Sequence, residues 1–164
     1  MKPKEILVFG ATGNIGRNLI RKLTKNNYKV VAVTRNIHQK GFQLKTQANP
    51  GYLELVELQS LDERKIKDLF NSCSVCINLV GILYEKNKGQ FNKIHSVLPN
   101  ILSKIAKEKK IDQFIHVSAL GVENALNSVY AKSKLDGENN VKKNFKNFLI
   151  VKPSIVYGVD DNFT

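Results

Sequence analysis

The stretch Ile6-Leu7-Val8-Phe9-Gly10-Ala11-Thr12-Gly13-Asn14-Ile15-Gly16 decides the fold. Four consecutive apolar residues running into glycine read as a short strand buried on both faces. From about Asn14 to Lys25 the apolar residues Ile15, Leu19, Ile20 and Leu23 recur at helical spacing. Glycines at 10, 13 and 16 therefore lie in the turn between a buried strand and a helix. In that place each has a separate physical use. Gly10 permits the tight turn, Gly13 lets backbone N–H groups approach an anion, and Gly16 lets the helix pack closely on the strand. The helix N-terminus adds a partial positive charge, so the loop is suited to a pyrophosphate.

Outward from that loop the chain alternates. Val30–Val33, Leu53–Leu58, Val75–Leu79, Gln113–Ser118 and Phe148–Val151 read as strands, with Leu53–Leu58 half-exposed at an edge. Helices are expected after Asp62 as far as Phe70, over Phe91–Lys109 with Pro99 kinking or breaking it, and over Val129–Lys142. The stretch Arg35–Pro50, polar and punctuated by glycine and proline, reads as loop. Buried strands alternating with helices predict an α/β fold of the Rossmann type. It is a doubly wound parallel sheet in the order 3-2-1-4-5-6, formed by residues 1–164 as one nucleotide-binding domain.

Composition limits the function classes. With 164 residues, 42% of them hydrophobic, the chain can bury a core, and no apolar run is long enough to span a bilayer. Nor does it open on a signal-peptide pattern, so a cytoplasmic protein is expected. The net charge of +12 raises the question of nucleic acid. Its lysines are scattered, however, and only Arg17, Arg21, Arg35 and Arg64 carry guanidinium groups. There is no basic stripe interleaved with aromatics, which argues against a nucleic-acid partner. Cys73 and Cys76 form a lone CxxC without a second pair or a nearby histidine, so no metal site is expected, and Cys76 reads as a buried thiol.

Two further positions speak to chemistry. The second strand ends in Thr34-Arg35-Asn36, with no Asp or Glu to accept hydrogen bonds from ribose hydroxyls. Arg35 instead offers a planar fork of donors for a 2′-phosphate, which predicts NADP(H) in preference to NAD(H). Tyr130 and Lys134 stand four apart on one helical face, with Ser118 at the carboxyl edge of the preceding strand. A tyrosine so placed can exchange a proton if the ammonium lowers its pKa. Of the histidines, His116 reads as a core residue, His95 as packing or capping, and His38 as loop.

GATGNIG, the Tyr130/Lys134 pair and Lys152-Pro153-Ser154-Ile155-Val156-Tyr157-Gly158 resemble the extended and atypical short-chain dehydrogenase/reductases. Asn78–Ile82, Phe114–Gly121, Gly158–Phe163, Ile94-His95 and Pro99 narrow the resemblance. They are similar to the subgroup holding the nucleotide-binding accessory subunit of respiratory complex I and its bacterial relatives.

The resemblance implies that Gly10, Thr12, Gly13, Asn14, Ile15 and Gly16 line the pyrophosphate and Arg35 the 2′-phosphate. Gly81 would lie on the adenosine side. Ser118, Tyr130 and Lys134 would surround the nicotinamide ribose, and Pro153, Ser154 and Ile155 the nicotinamide. It also implies a bound dinucleotide that is structural rather than turned over, and an association with the respiratory chain, peripheral to its membrane. The alternative it carries is an NADPH-dependent reductase or epimerase/dehydratase using Tyr130 and Lys134.

Four departures bear on catalysis. Ala119 stands where active members carry serine or threonine, and the segment from Ser118 to Tyr130 is short. Lys152 replaces a usual arginine, and Val159 a frequent proline. Extended members continue into a substrate lobe, most of which this chain is expected to lack. The surface such a lobe covers would then be open to a protein partner or to self-association.

Overall fold

The computed structural model describes residues 5–158, so Val159 to Phe163 of the family-like motif lie outside the described residues. Six strands form one parallel sheet: β1 (Glu5–Phe9), β2 (Val30–Thr34), β3 (Leu53–Glu57), β4 (Cys73–Asn78), β5 (Gln113–Val117) and β6 (Phe148–Val151). Their order is β3-β2-β1-β4-β5-β6, as the alternation predicts. Helices α1 (Asn14–Lys25), α2 (Phe42–Gln47), α3 (Glu63–Leu69), α4 (Leu98–Glu108) and α5 (Val129–Asn144) connect them.

Leu7 lies opposite Val31 on one side and Cys76 on the other, which places β1 at the centre. Successive residues of a strand point to opposite faces, and both faces here are covered. Leu7, Phe9, Val31 and Val33 join Ile66 of α3, Leu102 of α4 and Val141 of α5 in one core. Ile6, Val8, Val30 and Ala32 join Ile20 of α1 and Leu44 of α2 in the other. Strands β2 and β4 flank β1, and the chain leaves in opposite directions on its two sides. That reversal opens a crevice above the carboxyl ends of β1 and β4.

One expectation fails. Arg35–Pro50 is not a loop: Ile37–Gly41 forms a π-helical turn and Phe42–Gln47 the helix α2. The Asn36 side chain caps the turn by accepting from the Gln39 N–H, and the Glu57 carboxylate accepts from the Ile37 N–H. Fully buried Leu44 anchors α2 to the second core. A single buried side chain in so short a helix leaves no periodicity to read.

The cap expected at Asp62 is present, and Ser128 adds a second. The Asp62 carboxylate accepts from the N–H groups of Arg64 and Lys65, and the Ser128 hydroxyl from that of Ala131. The expected break at Pro99 takes a definite form: residues Asn92–Val97 are π-helical and α4 begins at Leu98, with Pro99 in its first turn. Proline lacks the N–H that would continue a regular ladder, and a π turn accommodates the gap. Burial pushes the Cys73 thiol up to about 12 and that of Cys76 well above its ordinary value, which leaves both poor nucleophiles.

Candidate dinucleotide site

Gly10 takes φ +80°, and a β-carbon there would stand 2.9 Å from the backbone of Leu79 and Val80. The turn thus brings the ends of β1 and β4 together. A β-carbon on Gly16 would collide with the Gly10 and Ala11 carbonyl oxygens and reach 2.7 Å from the Ala11 carbonyl carbon. Gly13 differs from both. It is exposed, and among the described residues a β-carbon would meet only the Gly10 oxygen, an ordinary 3.4 Å away. The fold itself does not require glycine at 13.

Helix α1 begins at Gly13 with no side chain accepting its first N–H groups and no acidic residue in its first turn. Those donors are available to an anion. They stand beside a cleft of about 420 Å³ whose wall includes Gly10, Thr12, Gly13, Arg35 and Gly81. Five of the expected contacts are therefore brought together. Sequence reasoning missed the far wall, Leu58 to Leu61 after β3 together with Lys93 and Ile94 of the π turn. The sheet order could have found the first of these, because β3 neighbours β2 and must end on the same edge.

Asn14, Ile15 and Gly16 open α1 at the rim. Gly158 comes close to the Asn14 side-chain amide, so the segment after β6 runs back towards the start of α1. Within it, Pro153 accepts a hydrogen bond from the Leu120 N–H, while Ser154 and Ile155 are exposed. These three residues do not line the cleft.

Lys134 of α5 reaches both Gly81 and the end of β5 next to Ser118, and Tyr130 lies one turn earlier on the same helix. A β-carbon on Gly81 would lie 3.1 Å from Lys134 Nζ, which donates to the Val117 carbonyl. Burial lowers the Lys134 pKa to about 8, and Glu138 draws it partly back up. Burial raises the Tyr130 pKa, and no cation among the described residues offsets it. The Ser118 hydroxyl is buried without a hydrogen-bond partner among the described residues. Lys152, in place of arginine, joins Glu123 of the turn after β5 to the fully buried Glu138 of α5 at 3.1 and 3.2 Å.

Behind this group lie two buried histidines. His95 Nε2 accepts from the Ile82 N–H at 3.1 Å, so its proton sits on Nδ1, 2.9 Å from the Ser133 hydroxyl. His116 accepts at Nδ1 from the Asn78 amide, whose oxygen takes the Val80 N–H. Burial first, then the Lys134 charge, lowers the pKa of His95 to about 4 and of His116 to about 3.

In the unfolded chain both histidines would titrate near 6.5. Above that value both states hold them neutral and stability is full. As pH falls from 6.5 towards 4, the unfolded chain takes up protons that the native state refuses, and stability is lost. We expect a slope approaching about 2.7 kcal/mol per pH unit for the two together between pH 6 and 5, where carboxylates contribute little. Urea unfolding at stepped pH measures it. A flat profile there would mean that the histidines protonate freely in the native state.

A family model described as NAD(P)H-binding matches residues 10–161. The chain belongs to that NAD(P)H-binding family. It is 30% identical over 156 residues to mouse "NADH dehydrogenase [ubiquinone] 1 alpha subcomplex subunit 9, mitochondrial", covering 95% of this chain and 41% of that protein. It thus spans well under half of that relative. Among solved structures, UDP-glucuronic acid 4-epimerase from Bacillus cereus in complex with NAD superposes with a TM-score of 0.78 at 26% identity. The match covers 94% of this chain and 57% of that one. A putative NAD-dependent epimerase/dehydratase from Bacillus halodurans gives 0.81 at 20% identity, over 97% and 74%. The expected kinship with complex I subunits and with epimerase/dehydratase-like reductases therefore holds. Among the described residues no helix is long and apolar enough to cross a membrane.

Proposed function

We propose that this NAD(P)H-binding chain prefers NADP(H) and holds it as a structural group in a respiratory-chain assembly, peripheral to the membrane. The observation that carries the preference is Arg35, exposed on the cleft wall at the end of β2. The acid nearest in register is Glu57, opposite Thr34, and both its oxygens are engaged, by the Ile37 N–H and the Gln59 amide. It is thus poorly placed to serve a ribose. The α1 N-terminus with Gly10, Thr12, Gly13, Asn14, Ile15 and Gly16 would hold the pyrophosphate. Gly81 would face the adenosine side, Ser118, Tyr130 and Lys134 the nicotinamide ribose, and the segment Pro153 to Ile155 the nicotinamide. When bound, the nicotinamide supplies hydride chemistry, and the protein's part is to bind and orient it.

The structural role is supported by Ala119, which removes a hydroxyl from the substrate side, and by burial that keeps Tyr130 protonated. The mouse relative's name supports the respiratory setting. Exposed Leu120, Leu126, Ile155 and Tyr157 favour a protein partner or self-association. The gathering of Ser118, Tyr130 and Lys134 favours a second reading, a reductase or epimerase/dehydratase. NADPH oxidation with a carbonyl or sugar-nucleotide substrate, abolished in Tyr130→Phe, would establish it.

Thermal-shift titrations with NADPH and NADH test the first reading. Saturation at about a hundred times Kd adds about 2.7 kcal/mol of stability. We expect the larger shift with NADPH, and in Arg35→Ala a preference reduced about 10- to 100-fold through loss of charge-assisted hydrogen bonds. An unchanged ratio of affinities would remove Arg35 from the site.

A further inference from the structure

We propose that His95 is a positioning residue, a neutral clamp that ties the Gly81–Ile82 edge of the cleft to the helix bearing Tyr130 and Lys134, and so holds the two halves of the dinucleotide site in register. The inference rests on the dinucleotide reading of the cleft, and four observations carry it.

Both ring nitrogens are used, each towards a different half. Nε2 accepts from the backbone of Ile82, which lines the cleft, and Nδ1 faces Ser133 of α5. The Ser133 hydroxyl in turn donates a hydrogen bond to the Tyr130 carbonyl oxygen at 2.7 Å. The resulting chain runs from ring to hydroxyl to carbonyl and has one consistent direction, which fixes the tautomer.

The ring is also held by its faces. It stacks on Phe91 with centroids 5.3 Å apart and meets the Tyr130 ring edge-on at 5.3 Å. Phe91 in turn meets Tyr130 edge-on at 5.6 Å. His95 is therefore a wall of the Tyr130 slot as well as a link to Ile82.

The backbone is shaped to present it. His95 lies in the π-helical turn Asn92–Val97, and such turns are frequent at functional sites. Gly137 of α5 lies so close to the His95 carbonyl oxygen that a β-carbon would overlap it. Two elements meet at this residue with no space for adjustment.

Finally, the surroundings keep it uncharged. Among the described residues the ionisable neighbours are Lys134 of α5, His116 of β5 and Tyr130, whose pKa burial raises, and no carboxylate faces the ring. A protonated Nε2 would point its hydrogen at the Ile82 N–H, so the clamp exists only in the neutral form.

The test uses His95→Phe, which keeps an aromatic ring in the slot and removes both nitrogens, and His95→Gln, which can restore one acceptor. Affinities for NADPH and for adenosine 2′,5′-bisphosphate separate the halves, because the latter reaches only one of them. We expect His95→Phe to weaken NADPH about 10-fold or more, to leave the bisphosphate within about 2-fold, and His95→Gln to recover most of the loss. Equal weakening of both ligands, or of neither, would overturn the clamp.

Amide exchange of Ile82 and ring nitrogen shifts of His95 in the nucleotide-free protein decide the matter independently of binding. The clamp requires a protected amide in the wild type, exposed in His95→Phe, and a bare Nε2 at neutral pH. An unprotected Ile82 amide in the wild type would overturn it. Failure of the wild type to bind either nucleotide while those signatures stand would refute the dinucleotide reading and leave the tie between Ile82 and α5 intact.

Discussion

Gly16→Ala is expected to destabilise the folded chain by at least about 2 kcal/mol, against the direction that helix propensity gives. In an open helix, alanine is favoured over glycine by about 1 kcal/mol. Here the added carbon collides with two carbonyl oxygens of the preceding turn, and it comes within 2.7 Å of the Ala11 carbonyl carbon. Relief would need either α1 to lift from the sheet or the turn to move. Lifting α1 would uncover Ile20, fully buried in the second core. Moving the turn is blocked because Gly10 already stands hard against the Leu79 and Val80 backbone. Overpacking of this kind typically costs 1–3 kcal/mol, and more where backbone is the obstacle on both sides. For a chain of this size each kcal/mol lowers Tm by about 2–4 °C. A fall of several degrees in the nucleotide-free protein is the expected result, while a Tm equal to or above the wild type would mean that the turn yields.

How much of this was legible follows from where each signal lies. The glycine turn and the buried strands are local patterns, and together they point to the strand order of a doubly wound dinucleotide-binding sheet. Helix α2 was hidden because its one anchor, Leu44, has no apolar partner a turn away, and its π-helical lead-in is held by Glu57 from another strand. Pro99 announced a break without announcing its form. The π turn that comes before it buries His95 and Ser96, polar residues that a regular amphipathic pattern would not select over Ile94.

The site divides in the same way. Gly10, Gly13, Gly16 and Arg35 are readable because each acts through the element that carries it. His95 acts through Ile82 and Ser133, thirteen and thirty-eight positions away, and no spacing rule spans those distances. The wall from Leu58 to Leu61 is assembled by sheet order alone, and its residue types carry no signature of a ligand. Only a folded chain brings such groups together, which is why the glycine turn and Arg35 are legible in the sequence and the wall from Leu58 to Leu61 is not.

Gly13→Ser is expected to separate binding from folding, and its two effects should have opposite signs. Gly13 occupies the N-cap of α1 with φ −74° and ψ 172°, the extended geometry that serine adopts at the same position. The protein leaves space for the new side chain, with the Gly10 oxygen at 3.4 Å the nearest obstacle to its β-carbon. Its hydroxyl would accept from the first-turn N–H groups that no side chain now caps, so stability should hold or rise by up to about 1 kcal/mol. Those N–H groups are the ones assigned to the pyrophosphate, and the β-carbon fills the approach. Losing two charge-assisted hydrogen bonds at about 1.5–3 kcal/mol each weakens NADPH by more than about 100-fold. Urea unfolding without nucleotide and titration with NADPH measure the two effects on one sample. A variant that keeps its NADPH affinity would place the phosphates elsewhere. One that loses stability would show that glycine at 13 serves the fold, and the contrast between Gly13 and Gly16 would fall with it.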